Sequence, residues 1–496
     1  MNGQPTRVTI ASGDRIIAAT DDFSFVRNEI TFLFGESGIG KSMLCKAVYG
    51  LLDPTELDIT VGSMSYRHYL DINEIEGISR LGFFVFQEPS SHLNPLMRIS
   101  AQLREGTIDG TEDEREIFER LWENRDTRKV EEILDVYPKP YRPSGGEKQR
   151  ILLAMAFKKI RRLAVHPRDV SALFIFDEPT GSLDNRYRDR FLAFLFEEYM
   201  LRQFTALVIT HDYSIISEIY SKNNGLLDRI HFRELRHKGE GRVELVDFHA
   251  DDYLTWLRST SGKKNVTMAG EPVLRLSSRF TIFGRGHRIC RDEEHAQETD
   301  LLIRAGEMVY VKAPSGTGKT TLAKIVMGLY KAETFSMTLV GSSISQATPR
   351  LFFEREVWGR RAGMVFQHAD EALDLEATVT ETFAGLPHGR AFSHAELIRF
   401  LGEIFEGNLD ETFLSRQIKF LSGGQKQRLN LLRTIIMHPP LIILDEPLNG
   451  LDFDSARKII AMLDQMRKQG SALLLISHNE EIFDALVEKE CVYYLT

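Results

Sequence analysis

Two glycine-bearing runs carry the most specific chemistry in this sequence. Gly35, Glu36, Ser37, Gly38, Ile39, Gly40, Lys41 and Ser42 follow the apolar run ITFLF and open KSMLCKAVYGLL. Ala313, Pro314, Ser315, Gly316, Thr317, Gly318, Lys319 and Thr320 follow MVYVK and open KTTLAKIVMGLY. The first fits G-x-x-x-x-G-K-[ST] between a strand and a helix, and the second differs only in Ala313 for the leading glycine. In such a loop the backbone N–H groups and the helix N-terminus face phosphate oxygens. Lys41 and Lys319 would neutralise the β- and γ-phosphates, and Ser42 and Thr320 would ligate Mg2+.

ALFIFDEP and PLIILDEP read as buried strands that end in paired carboxylates, and the strand end is where ligands sit in an open parallel sheet. Asp177 and Asp445 would hold Mg2+, directly or through water. Glu178 and Glu446 would orient or deprotonate an attacking water. His211 and His478 end two further apolar strands, TALVIT and ALLLIS, about 33 residues after each glutamate. A lone histidine there is ordinarily a surface residue; its repetition favours a γ-phosphate contact. Gln87 and Gln367 follow FVF and MVF and could touch Mg2+ or the lytic water.

Positioning these groups twice requires the chain to repeat itself. Lys41 and Lys319 are 278 residues apart, Gln87 and Gln367 280, Ser144 and Ser422 278, Asp177 and Asp445 268, and His211 and His478 267. Five matches in one order make the chain a duplication, and its 496 residues accommodate two domains. We place them at 1–234 and 272–496, with a linker over 235–271. The drop in offset puts about ten extra residues of the first copy within KKIRRLAVHPRDVSA. There Lys159, Arg161 and Arg162 read as a solvated helix end or as a partner contact.

Apolar residues make up 43% and charged residues 27%, with a formal charge of -9. That balance is globular, and it speaks against a nucleic-acid partner held by a basic surface. Three scattered cysteines exclude a disulfide framework and fit a reducing compartment. No apolar run of about 18 residues is present to span a membrane, and MNGQPTRVTI lacks a signal-peptide core. A cytoplasmic protein, peripheral at most to the inner face of the cell membrane, is expected.

With SGGEKQR at Ser144, Gly145 and Gly146 and SGGQKQR at Ser422, Gly423 and Gly424, the set resembles the ATP-binding-cassette superfamily. The loops over Ser182-Leu183-Asp184 and Gly450-Leu451-Asp452 are similar to that family's D-loop. The resemblance covers nearly the whole chain outside the linker. It implies an α/β fold: two P-loop ATPase domains, each with an α/β core and a helical subdomain, around residues 90–150 and 370–430. It also implies ATP and Mg2+ as cofactors, and head-to-tail pairing of the two cassettes, each P-loop facing the opposite signature. FQEPSSHLNPLMRI is further similar to the Gln loop of oligopeptide, dipeptide and nickel importer ATPases, and FQHADEALDLEATV more loosely so. The adenine-stacking aromatic of such relatives has candidates in Phe280 and Phe283 of the second copy, against Ile10 and Ala11 in the first.

The expected function is therefore the ATPase motor of an import-type transporter with separate membrane subunits. The alternative is a cytosolic cassette ATPase that binds and remodels a soluble enzyme complex. A ribosome-recycling role fits less well: no Cys-rich iron–sulfur segment precedes the cassettes, and the charge is acidic. Two departures predict unequal sites. Ala313 stands where Gly35 does, beside Pro314, and Pro143 precedes the first signature where Leu421 precedes the second. Both fall in the composite site of Lys319, Glu446 and Ser144, which is expected to turn over more slowly or to hold its nucleotide more tightly.

Overall fold

The structure is a computed structural model. It describes residues 5–496 apart from 73, 76–77, 105–111, 123–130, 132–142, 164–170, 182–184, 240, 262–269, 315, 388–391 and 406–408. The chain divides into two units, Met1–Ala250 and Asp251–Thr496.

In the first unit the strand Ile30–Gly35 lies between Thr205–Ile209 and Ile230–Gly239, all parallel. Ser171–Asp177 lies on the other side of Thr205–Ile209 and pairs in turn with Ile78–Val85, also parallel. Every residue of ITFLFG, SALFIFD and TALVI is buried, because strands covered on both faces read as continuous apolar runs. The antiparallel hairpin of Thr6–Ser12 and Arg15–Phe23 extends the same sheet. The parallel strands run in one direction, so Gly35, Asp177 and Ile209 reach the same edge.

The second unit repeats this centre. Met308–Lys312 lies between Ala472–Ile476 and Val492–Leu495, and Leu441–Asp445 between Ala472–Ile476 and Ala362–Val365, all parallel. A separate antiparallel sheet holds Pro272–Leu276 between Leu301–Arg304 and Ser336–Leu339. Leu397, Leu401, Phe413, Leu414, Leu429 and Leu432 form a core of their own under the helices His394–Gly402, Glu411–Leu414 and Gly423–Ile435. This is the helical subdomain read at 370–430. Its counterpart at 90–150 keeps the helices Ile99–Arg104, Glu112–Leu121 and Gly145–Leu163; much of the rest lies outside the described residues.

The span 235–271, read as a linker, is mostly regular structure. Ile230–Gly239 and Arg242–Asp247 form an antiparallel pair within the first sheet. Ile230, Phe232, Glu234 and Leu235 are buried. The buried carboxylate of Glu234 is what made the strand read as polar; it accepts from Tyr213 Oη at 2.7 Å and Arg236 Nε at 2.7 Å. Ala250–Ser261 is a helix, and only 262–269 of the span falls outside the described residues apart from Glu240.

Arg161 is neither solvated nor turned outward. Its Nε donates to Glu198 at 2.8 Å and its Nη1 to Glu116 at 3.1 Å. The side chains of Arg161 and Glu198 are 9% and 2% exposed. The guanidinium thus ties the helices Glu112–Leu121, Gly145–Leu163 and Asn185–Arg202 together.

Candidate active site

Each phosphate loop is a strand end followed by a helix, Lys41–Tyr49 in the first unit and Lys319–Val326 in the second. The residue before each helix, Gly40 or Gly318, has φ 108, a left-handed turn that glycine makes without strain. Lys41 is 6% exposed and Lys319 7%. Lys41 Nζ donates to the carbonyls of Gly35 at 2.6 Å and Glu36 at 3.0 Å, and Lys319 Nζ to that of Ala313 at 2.5 Å. Both ammonium groups are thus folded back onto their own loops. Burial holds Lys41 below its ordinary pKa, against the opposing pull of Glu178 and Asp177.

The departure at Ala313 has a structural reason. Gly35 has φ +138, and a Cβ there would stand 2.8 Å from the carbonyl oxygen of Leu235, so only glycine fits. Ala313 does not share the positive φ. Ser315 lies outside the described residues.

Beside each loop stands the aspartate. Ser42 Oγ donates to Asp177 Oδ1 at 2.8 Å. Burial raises Asp177 to about 6, against that hydrogen bond, and burial raises Asp445 as well. Both carboxylate oxygens of Asp445 are buried, with the Thr320 hydroxyl as the side chain that faces them, and a ligand between the two would complete their coordination. Hard oxygen donors from a hydroxyl and a carboxylate suit Mg2+, which takes its remaining positions from phosphate and water. Ser42 with Asp177 and Thr320 with Asp445 therefore fit the ion, which would supply charge neutralisation on the phosphates.

The two glutamates that follow are held differently. His211 Nδ1 lies 2.9 Å from Glu178 Oε1. Burial pushes Glu178 up, but His211 outweighs it and leaves the carboxyl below its ordinary range; Glu178 in turn raises His211. In the second unit His478 Nε2 is 3.8 Å from Glu446 Oε1, beyond hydrogen-bond reach. Glu446 instead accepts from Ser477 Oγ at 2.7 Å, and burial pushes it to about 7. Ser477 was not singled out from the sequence; the signal available was its place beside His478 in a repeated strand end. Both glutamates have left-handed backbones, φ 47 at Glu178 and φ 50 at Glu446.

Ser144 and Ser422 each begin a helix with a capping box. Ser144 N–H donates to Glu147 Oε2 at 2.7 Å and Glu147 N–H to Ser144 Oγ at 3.3 Å; Ser422 and Gln425 do the same at 3.0 and 3.2 Å. S-x-x-[EQ] in the signature is thus also a helix start. Pro143 is buried in the place of Leu421, so this departure leaves the start of the helix intact. Further along, Gln149 Nε2 donates to the carbonyl of Phe86 at 3.2 Å and Gln427 Nε2 to that of Phe366 at 3.1 Å. These bonds anchor the residues just before Gln87 and Gln367, whose own side chains make no bond to the carboxylates; Gln87 is exposed and Gln367 half-buried. Residues 182–184 lie outside the described residues, while Asp452 caps the helix Phe453–Lys468 through Ser455 N–H at 2.7 Å. Of the two aromatic candidates, Phe280 is buried at 2% exposure, and Phe283 is 72% exposed with its ring edge-on to Tyr330, centroids 5.6 Å apart.

Each unit thus brings a P-loop lysine, a hydroxyl–aspartate pair and a glutamate partnered from a neighbouring strand end (the switch position, His211 in the first unit and Ser477 with His478 in the second) to one sheet edge, which defines a P-loop ATPase present twice. A family model described as "ABC transporter" matches residues 19–181 and 296–449. The chain belongs to that family: it binds ATP with Mg2+ and hydrolyses it. It is 29% identical to the peptidoglycan transport ATP-binding protein YejF of Agrobacterium fabrum, over 97% of this chain and 88% of that protein. It is 25% identical to the glutathione import ATP-binding protein GsiA of Escherichia coli K12, over 95% and 81%. Among solved structures the RNase-L Inhibitor shares the fold, with a TM-score of 0.62 at 17% identity over 98% of this chain and 89% of that one. An archaeal ribosome recycling factor does so at 0.61 and 18% over 96% and 87%.

Proposed function

We propose that the chain is the ATPase motor of an import-type transporter whose membrane subunits are separate polypeptides. The observation that carries this is the pair of complete site constellations in one chain that has YejF- and GsiA-like relatives along nearly its whole length. No helix among the described residues is long and apolar enough to cross a membrane, so the work would be done on partners from the cytoplasmic side. Lys41 and Lys319 would bind the β- and γ-phosphates, and Glu178 and Glu446 would polarise the lytic water with His211 and His478 beside the γ-phosphate. Ser144, Gly145 and Ser422, Gly423 would complete the opposite site when the cassettes pair head to tail. The exposure of Ser144, Gly145 and Gly423 supports that availability.

Purification of the tagged Glu178→Gln/Glu446→Gln protein with ATP from membranes tests this. Integral membrane subunits are expected to co-purify. A soluble enzyme complex in their place would overturn the import reading in favour of remodelling. ATP hydrolysis by the isolated protein that no partner accelerates would overturn both.

A further inference from the structure

In the first unit the helix after the D-loop segment, Asn185–Arg202, is tied directly to the helix after the switch histidine, Ser214–Lys222. Arg188 Nη1 donates to Asp212 Oδ2 at 3.1 Å and also to Ser214 Oγ. Asp212 Oδ1 in turn accepts from Ser214 N–H at 3.0 Å. The repeat offsets put Ala456, Asn479 and Glu481 at these three places in the second unit. An alanine and an asparagine cannot rebuild the tie, and Glu481 has lost its arginine.

A different element occupies that role. The helix Ala250–Ser261 begins three residues after the last strand of the first unit's sheet, Arg242–Asp247. Tyr253 on it is fully buried, and its Oη donates to Glu481 Oε2 at 2.7 Å. Tyr253 and Trp256 also pack edge-on against Phe453, with ring centroids 5.7 and 5.4 Å away. Phe453 is the first helical residue after Asp452, and Glu481 lies in the first turn of the helix Glu480–Leu486, three residues after His478. One helix therefore touches both the D-loop helix and the switch helix of the second unit at their starts. Four residues before Glu481, Ser477 holds Glu446.

We infer that Tyr253 and Trp256 are positioning residues for the second ATP site: the helix Ala250–Ser261, at the start of the second unit, supplies there the brace that Arg188 supplies in the first. This rests on the reading that Glu446 and His478 act in hydrolysis.

The test uses the full chain and two readouts. Hydrogen–deuterium exchange on Tyr253→Phe and Trp256→Ala is expected to rise over 477–486 and stay unchanged over 210–222, with Arg188→Ala giving the reverse. Unchanged exchange over 477–486, or an equal rise in both segments, would overturn the brace. In a Glu178→Gln background, Tyr253→Phe is expected to lower kcat about fivefold at constant KM, the effect of one lost hydrogen bond on a positioned group. Glu481→Gln, whose amide oxygen still accepts from Tyr253, is expected to retain most of the turnover. Exchange that rises while kcat holds would overturn the link to Glu446. No turnover in the Glu178→Gln parent would refute the hydrolytic role of Glu446, leaving the exchange measurement to decide the brace.

Discussion

Ser477 Oγ donates to Glu446 Oε2 at 2.7 Å, and this hydroxyl does for Glu446 what His211 does for Glu178. A hydroxyl brings no charge. Burial therefore dominates Glu446 and raises it to about 7, whereas His211, facing Glu178, holds that carboxyl below its ordinary range. The two units share a sequence pattern and differ in what holds the glutamate at its centre.

One consequence concerns pH and stability. The folded-state pKa of Glu446 lies above its ordinary value, so the protonated form is the one the fold favours. That stability is fully present below the ordinary carboxyl value near 4.5 and is lost as pH rises through about 7. Without nucleotide, Glu446→Gln is expected to gain melting temperature over the parent at pH 8 and to converge with it at pH 5. A difference independent of pH would refute the assignment.

A second consequence concerns turnover. With burial raising Glu446 to about 7, its site is expected to contribute less to steady hydrolysis than that of Glu178. Glu178→Gln is expected to cost the larger share of partner-stimulated activity, and the residue left by Glu446 is expected to rise with pH between 6 and 8. Equal losses, or a larger loss from Glu446→Gln, would refute the asymmetry. The structural difference behind this expectation lies at Ser477 and His478; Pro143 leaves its helix start intact, and Ala313 does not share the positive φ of Gly35.

Gly35 and Ala313 are expected to respond in opposite ways. Gly35→Ala places a Cβ 2.8 Å from Leu235 O at φ +138 and should cost about 1–3 kcal/mol together with ATP affinity at that loop. Ala313→Gly, at a position without positive φ, should stay within about 1 kcal/mol. Chemical denaturation and nucleotide titration of both variants compare them directly; equal costs would contradict the described loops.

Arg161→Ala is expected to destabilise the first unit by about 3 kcal/mol, because it leaves the buried Glu198 with only Arg202. Lys159→Ala, from the same basic run but exposed, should change stability by less than about 0.5 kcal/mol. Urea denaturation separates these. A neutral Arg161→Ala would return that run to the role of a solvated helix end.

The motif residues were legible because their spacing is fixed by the strand–loop–helix geometry that makes them work, and it recurs twice. Asp177 and Asp445 fall at strand ends as SALFIFD and LIILD require. The division between Ala250 and Asp251 falls inside the expected linker, but the regular structure within that span was not legible. Glu234, Arg236 and His237 make the strand Ile230–Gly239 look polar, and only the partners Tyr213 and Arg236 reveal that Glu234 is buried. Arg161 was misjudged for the same reason: a charge says nothing of exposure until its partner, Glu198 on a later helix, is known. Ser477 and Tyr253 lack any motif of their own, since each acts through a single hydrogen bond to a glutamate elsewhere in the sequence.

The left-handed backbones at Glu178 and Glu446 set a ceiling on robustness. A non-glycine residue at such φ costs about 1 kcal/mol or more, and that cost falls on both glutamates. Glycine at either position would relax the turn and remove the carboxylate together. Selection for heat resistance alone should therefore drive both positions toward glycine and toward an inert protein, so the two glutamates keep the chain below its attainable stability for as long as it must turn over ATP.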